Sequence, residues 1–346
     1  MPKLLSMGIQ HIQQLCDVMG LGYMTQAPTA VAGGFHHAMW CVDTAGGRHA
    51  IKQLAADVDL GNPTVVSRYN ASERTAQTFA ALGVPALSAI EHDGYFLQQF
   101  DNSGYLVYPW ASATARGRNQ IKPGHAETVA TILAEMHQAN IQVPELPDEL
   151  PKIITAEDTI ALIEFAVSRN VHEARYLQER IDDVLAVLAA LDEALPLLAT
   201  HHVISHGDLD HKNVLWNDAG KPLLIDWESA MHLNPTYETL LEALDWSGIT
   251  AHFDTHPFAD FLASYGEAGG VLEERFVPAA LDTVLAAWLH WLMYNLGRAM
   301  GLDDSRQRRL GTEQVDLALA VLLRLEKFLP RLRDIAITAA NRGPHV

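Results

Sequence analysis

"VISHGDLDHKNVLW", Val203 to Trp216, carries three polar groups inside an otherwise strand-like apolar run: His206, Asp208 and Asn213. Thirteen residues after Asn213, "LLIDWE" ends a second apolar run on Asp226. The "NDAG" between the runs is a turn signal, so 213–216 and 222–225 read as a short hairpin. A loop, a hairpin and a second loop bring Asp208, Asn213 and Asp226 together. Asn213 and Asp226 then offer hard oxygen donors of the kind Mg²⁺ takes. Asp208 is left to orient a substrate hydroxyl and accept its proton.

Upstream of this stretch the texture divides in two. Ile9, Ile12, Cys16 and Met19 fall at helical spacing and predict an N-terminal helix. "AMWCVDTAGGRHAIKQL" reads as a hairpin around Ala45-Gly46-Gly47, and "YFLQQF" and "YLVYPW" as a second around Asn102-Ser103-Gly104. Between them Tyr69, Glu73, Ala76 and Phe79 line a helix that ends near Gly83. "ASATARGRNQIKPG" is an apolar-poor connector, and from about 124 the chain is mainly helical. The expected fold is α+β and bilobal: a small antiparallel β-sheet lobe with one main helix (1–110), and a larger, mainly α-helical lobe (111–346).

Two more features belong with the opening stretch. Lys52, in "HAIKQL", sits on the second strand of the first hairpin. Glu73, 21 residues later on the helix, is placed to hold that lysine in an ion pair. In "VAGGFHHAM", Gly33-Gly34 lies between strand-like segments, where backbone N–H groups can approach phosphate. Each residue alone has a bland reading: a loop carboxylate, a turn residue, an edge-strand lysine, a solvated helix face. The order and spacing of all of them together favour a site.

In this order of Lys52, Glu73, His206-Gly-Asp208-x4-Asn213 and Ile-Asp226, the chain resembles the protein-kinase-like superfamily. More closely it resembles the aminoglycoside phosphotransferase/choline kinase family of small-molecule kinases, over about residues 26–300. The resemblance implies ATP (or GTP) and Mg²⁺ as cofactors. It makes Asp208 the catalytic aspartate, Asn213 and Asp226 the metal ligands, and Lys52 the α/β-phosphate contact braced by Glu73. Pro109 and Trp110 would begin the hinge that receives adenine, and His206 would hold the loop. Two departures stand out: the glycine loop is not G-x-G-x-x-G, and Gly207 replaces the arginine that reads a phosphorylated activation loop. Glu238, in "NPTYETL", comes only twelve positions after Asp226, too few for a peptide platform, so the expected acceptor is a small-molecule alcohol.

For the acceptor pocket the candidates are Asp210, Glu228, Glu242, Asp245 and Trp246, with Trp288, Trp291, Asn295 and Arg298 along a later helix. Acidic groups suit an aminoglycoside or amino sugar, and tryptophans suit a choline-like cation. Trp288 and Trp291 equally suit helix packing, and Arg298 suits an acidic acceptor. A metabolite such as homoserine or a thiosugar, and a nucleotide-binding pseudokinase that regulates a partner, therefore stay open.

Composition narrows the classes further. The formal charge is −18, with a net of −3 in 1–110 and −15 in 111–346. That field disfavours nucleic acid and anionic membrane and favours cationic partners. Two cysteines, no secretory h-region and no apolar run of spanning length predict a cytoplasmic protein; "VLAAWLHWLMYNLG" is short and contains His290. Oligomeric state is not legible. Among seventeen histidines, His36-His37 and His201-His202 are adjacent pairs that would point apart on a strand. No H-E-x-x-H or Cys/His spacing appears, so no transition-metal site is expected.

Overall fold

A computed structural model describes residues 2–31, 37–100, 102–148, 154–301 and 305–342. Gly33 and Gly34 lie outside them. The elements run α1 (Pro2–Val18), β1 (Thr29–Val31), β2 (Ala38–Thr44), β3 (Gly47–Gln53), α2 (Pro63–Ala81), β4 (Gln98–Phe100), β5 (Ser103–Pro109), β6 (Thr114–Ala115), α3 (Pro123–Ala139), α4 (Ala156–Ser168), α5 (His172–Glu179), α6 (Ile181–Leu198), β7 (Val203–Ser205), β8 (Val214–Trp216), β9 (Pro222–Leu224), β10 (Met231–Leu233), α7 (Pro235–Trp246), α8 (Thr255–Glu267), α9 (Val277–Ala299) and α10 (Ser305–Arg342). They form two compact units. One comprises 1–115, 141–147 and 212–231; the other comprises 116–140, 148–211 and 232–346. The division drawn at 110 from sequence is therefore interrupted, because the 212–231 hairpin joins the first unit.

The first unit is built on an antiparallel sheet of order β1-β2-β3-β5-β4. Alternation along β5 explains its two cores. Tyr105 and Val107 join Val42 and Ile51 against Ile12, Leu15 and Cys16 of α1. Leu106 and Tyr108 point the other way, into a cluster with Leu54, Ala89, Phe96 and Leu97. Lys52 pairs with Leu106 across β3 and β5, so it shares the second face. The β2–β3 turn needs glycine at 46, since a Cβ there would stand 2.6 Å from the carbonyl oxygen of Leu21.

Helix α2 starts at Asn62, whose side chain accepts the Thr64 N–H, with Pro63 in the first turn. β8 and β9 pair as expected from the turn signal, and β6 adds a third strand from the connector. Leu87 N–H donates to Leu224 O and Leu224 N–H to Pro85 O, which fastens this hairpin beyond the end of α2. Trp227 is buried and stacks on Phe79 of α2 at 5.5 Å between centroids.

The second unit is helical. Leu292 and Leu296 of α9 sit at its centre with Ile163 of α4, Leu188 of α6 and Val315 of α10. Trp288 and Trp291 pack against this core, the packing reading of those residues. The segment around α9 (274–299) is longer than its sequence suggested, and by length and composition it is apolar enough to cross a membrane. However, 61% of its most apolar window is buried inside the protein, as in a core helix.

Candidate functional site

In the first unit the strand lysine meets the loop after β9. Lys52 is 7% exposed, and its Nζ donates to Asp226 Oδ1 at 2.7 Å and Glu228 Oε1 at 2.6 Å. Burial alone would lower its pKa. The two carboxylates more than offset that and hold it above the ordinary lysine value. Glu228 also meets His37 Nε2 at 3.2 Å, and His37 Nδ1 accepts the Ala55 N–H at 3.0 Å. That fixes the tautomer, with the Nε2 hydrogen directed at Glu228. Burial pushes Glu228 up, but the His37 bond and the Lys52 charge bring its pKa down to about 2.

Glu73 does not brace Lys52 as the spacing suggested. It is fully buried, accepts from Tyr108 Oη–H and from Ala89 N–H, both at 2.6 Å, and Lys52 turns to Asp226 and Glu228. Desolvation raises the Glu73 carboxyl to about 7, against the lowering effect of those hydrogen bonds and of Lys52. The physical reason is competition: two oxygens in the loop after β9 reach Nζ at hydrogen-bond distance, while Tyr108 and Ala89 take the oxygens of Glu73.

Asp226 adopts φ 66°, a left-handed conformation uncommon outside glycine, though one that Asp and Asn adopt more readily than most. Ile225 N–H donates to Asn213 O at 3.0 Å, so Asn213 and Asp226 sit at neighbouring positions of the hairpin base. Their side chains offer oxygen donors only, the donor set that fits Mg²⁺. Pro109 ends β5, exposed, and Trp110 N–H donates to Arg48 O, with the Arg48 guanidinium 5.7 Å from the Trp110 ring centroid.

In the second unit the opening stretch is pinned by α7. Gly207 N–H donates to Glu238 Oε1 (2.8 Å), Leu209 N–H to Glu242 Oε1 (2.9 Å) and His211 N–H to Asp245 Oδ2 (3.0 Å). Alternate residues of an extended loop thus meet positions i, i+4 and i+7 of one helix face. The odd-numbered N–H groups turn inward, and Asp208, on the alternate set, is exposed. His206 is fully buried and its Nδ1 accepts the Asp208 N–H at 3.3 Å.

Three expected acceptor ligands are therefore engaged under the loop. Glu242 holds Leu209, and burial followed by Glu238, Asp245, Asp208 and Asp210 pushes its carboxyl well up. Asp245 takes Arg118 and His211; burial raises it, but these partners bring it down to about 2. Trp246 Nε1–H donates to Leu209 O at 3.0 Å. Glu228 belongs with Lys52. Trp291 donates to Gln314, and Arg298 donates to Gln307 and Asn295. Asp210 is half-buried beside His211 and Asp245.

Sequence reasoning did not assign His137 or Tyr265. His137 Nε2 lies 2.8 Å from Glu238 Oε2 and its Nδ1 2.8 Å from Tyr265 Oη, all buried. Burial would raise Glu238; the His137 bond and the Gly207 N–H are among the contacts that hold it below the usual carboxylate range. The signal that could have found this network was Glu238, Glu242 and Asp245 on the otherwise apolar face of α7.

The sequence profile of the phosphotransferase enzyme family matches residues 29–282. A search of curated proteins matches none. Among solved structures, a spectinomycin phosphotransferase in complex with ADP and spectinomycin superposes with a TM-score of 0.64 at 13% identity, covering 95% of this chain and 98% of that one. An ethanolamine kinase of Plasmodium vivax gives 0.57 at 12% identity, covering 89% and 84%. A choline kinase of Streptococcus pneumoniae gives 0.55 at 16%, covering 91% and 98%. The structures share the protein-kinase-like fold, the profile covers most of the chain, and the chain belongs to the phosphotransferase enzyme family of small-molecule kinases.

Proposed function

We propose that the protein transfers the γ-phosphoryl group of ATP to a hydroxyl of a small, amine-bearing acceptor in the cytoplasm. The observation that carries this reading is the Lys52–Asp226 pair, 2.7 Å between residues 174 apart in sequence, which joins the strand lysine to the carboxylate after β9. Phosphate oxygens on Lys52 would take the place of one of its carboxylate partners. Asn213 and Asp226 would hold Mg²⁺, which when bound offsets charge on the β- and γ-phosphates.

Asp208 orients the acceptor hydroxyl and takes its proton. The oxygen–phosphorus bond to the acceptor forms as the bond to the β-phosphate oxygen breaks, and ADP leaves. The transition state is loose, so positioning and charge balance dominate, and the base itself supplies roughly 10²–10⁴-fold. Spectinomycin, ethanolamine and choline, the compounds named for the three similar structures, each carry an amine or ammonium beside a hydroxyl, and they agree with the acid excess of 111–346.

The test is Mg²⁺-dependent ADP release from ATP and GTP across amino alcohols, amino sugars, aminoglycosides and hydroxy amino acids, with Asp208→Asn as control. Acceptor-dependent turnover that the variant lacks supports the reading. Wild-type turnover in Asp208→Asn removes Asp208 from its role, and turnover only with uncharged or acidic acceptors removes the amine.

A further inference from the structure

Three metal-ligating side chains from separate segments converge in the second unit. Asp148 lies between α3 and α4, His202 immediately precedes β7, and His232 is the middle residue of β10, which pairs with β7. His202 Nε2 stands 3.4 Å from Asp148 Oδ2, and His232 Nδ1 stands 3.7 Å from Asp148 Oδ1. One candidate ligand atom from each residue lies within 4.8 Å of the others, and the two imidazoles meet edge to face at 5.1 Å.

These separations are long for N–H···O bonds, which cluster at about 2.7–3.2 Å. They suit atoms that share an ion: ligands about 2.0–2.2 Å from a tetrahedral metal stand roughly 3.3 Å apart. The protonation pattern agrees. His202 Nδ1 lies 3.1 Å from Ala199 O and so carries the proton, leaving the Nε2 lone pair turned toward Asp148. His232 Nδ1 is shielded from solvent and has no hydrogen-bond partner among the described residues. A buried imidazole nitrogen without a partner is costly unless something else fills its lone pair.

The contrast with Asp210, His211 and Asp245, the second such cluster, is informative. There His211 makes bonds of 2.9 and 3.0 Å to Asp245, and Arg118 takes the other carboxylate oxygen, so that network is closed by the protein's own donors. Two imidazoles also exclude Mg²⁺ as the natural occupant and select a borderline metal.

We propose that Asp148, His202 and His232 form a three-ligand site for a divalent transition metal, best suited to Zn²⁺, with a fourth position open to water. Bound metal ties Asp148 to the β7–β10 pair, four residues ahead of His206, and stiffens the base of the loop that carries Asp208. The ligands lie in three segments with no short repeat between them, so no linear motif announces the site.

The experiment uses the full chain, stripped with a chelator and returned to excess Mg²⁺ so that oxygen-donor sites are occupied, then titrated with Co²⁺. The expected result is one Co²⁺ per chain with the visible absorption of a four- or five-coordinate nitrogen–oxygen site, bleached by Zn²⁺. His202→Ala and His232→Ala should each weaken binding at least 10–100-fold, the loss typical of even an outer-shell partner. Asp148→Asn, at an exposed position, is the second variant should a histidine change unfold the chain, and Asp226→Asn should leave the spectrum intact. No spectrum at tenfold excess Co²⁺, or a spectrum undiminished in the folded Asp148→Asn, His202→Ala or His232→Ala variants, overturns the site.

Discussion

Glu73→Gln separates two accounts of the strand lysine. If Glu73 were the partner of Lys52, its carboxyl would be held below the usual range and its stabilisation would vanish in acid. The structure instead gives it Tyr108 and Ala89 as partners in a desolvated site, and a carboxyl raised from 4.5 to about 7. A raised carboxyl keeps its proton in the folded state after the unfolded chain has lost it. Its contribution is fully present below pH 4.5, declines as pH rises, and is lost above about 7. Ionising it in place then costs about 3 kcal/mol at alkaline pH. Glutamine stays neutral throughout; its oxygen can accept from Ala89 and its N–H₂ can donate to the Tyr108 oxygen. In urea unfolding followed by tryptophan fluorescence between pH 5 and pH 8.5, Glu73→Gln should lie within about 1 kcal/mol of the parent at the acid end. At the alkaline end it should exceed the parent by up to about 3 kcal/mol. A variant that loses stability, and loses more at pH 8.5 than at pH 5, refutes this reasoning and restores the ion pair with Lys52.

Three further outcomes follow from the same geometry. Glu242→Gln keeps an acceptor for Leu209 N–H while removing a carboxyl pushed well up by burial and by Glu238, Asp245, Asp208 and Asp210. Thermal unfolding should show a smaller loss of stability as pH rises above the ordinary glutamate value, and steady-state kinetics should show an unchanged acceptor KM; a large rise in KM would return Glu242 to the acceptor pocket. His137→Leu removes one hydrogen-bond partner of buried Glu238, which keeps the Gly207 N–H, and should cost about 1.5–3 kcal/mol in denaturant unfolding. Lys52→Met should weaken binding of a fluorescent ATP analogue about ten- to hundredfold, the worth of one or two charge-assisted bonds, while circular dichroism reports an intact fold.

What could be read from the sequence, and what could not, divides along local and non-local physics. The hairpins at 38–53 and 98–109, the helix over 63–81 and the short hairpin after Asn213 were all legible, because each is set by periodicity and turn residues within about twenty positions. The joint presence of Lys52 and Asp226 was legible as a pattern, since their spacing follows that of a known family. The partner of Glu73 was not: it was decided by which oxygens could reach Nζ at 2.6–2.7 Å, a competition among residues 52, 226 and 228 that no spacing encodes.

The acceptor candidates show the same limit in a sharper form. Glu242 and Asp245 look like cation-binding groups when only their charge is read, but with Glu238 they form one row. Their spacing is that of one helix face, and the residues they meet, 207, 209 and 211, have the spacing of an extended strand. Carboxylates at i, i+4 and i+7 of a buried helix are matched to a row of backbone N–H groups rather than to a diffusible amine. On the loop itself Asp208 is exposed, and Asp210 is half-buried with its carboxylate beside His211 and Asp245. Under the proposed function, an acceptor would meet this loop at Asp208, its exposed carboxylate.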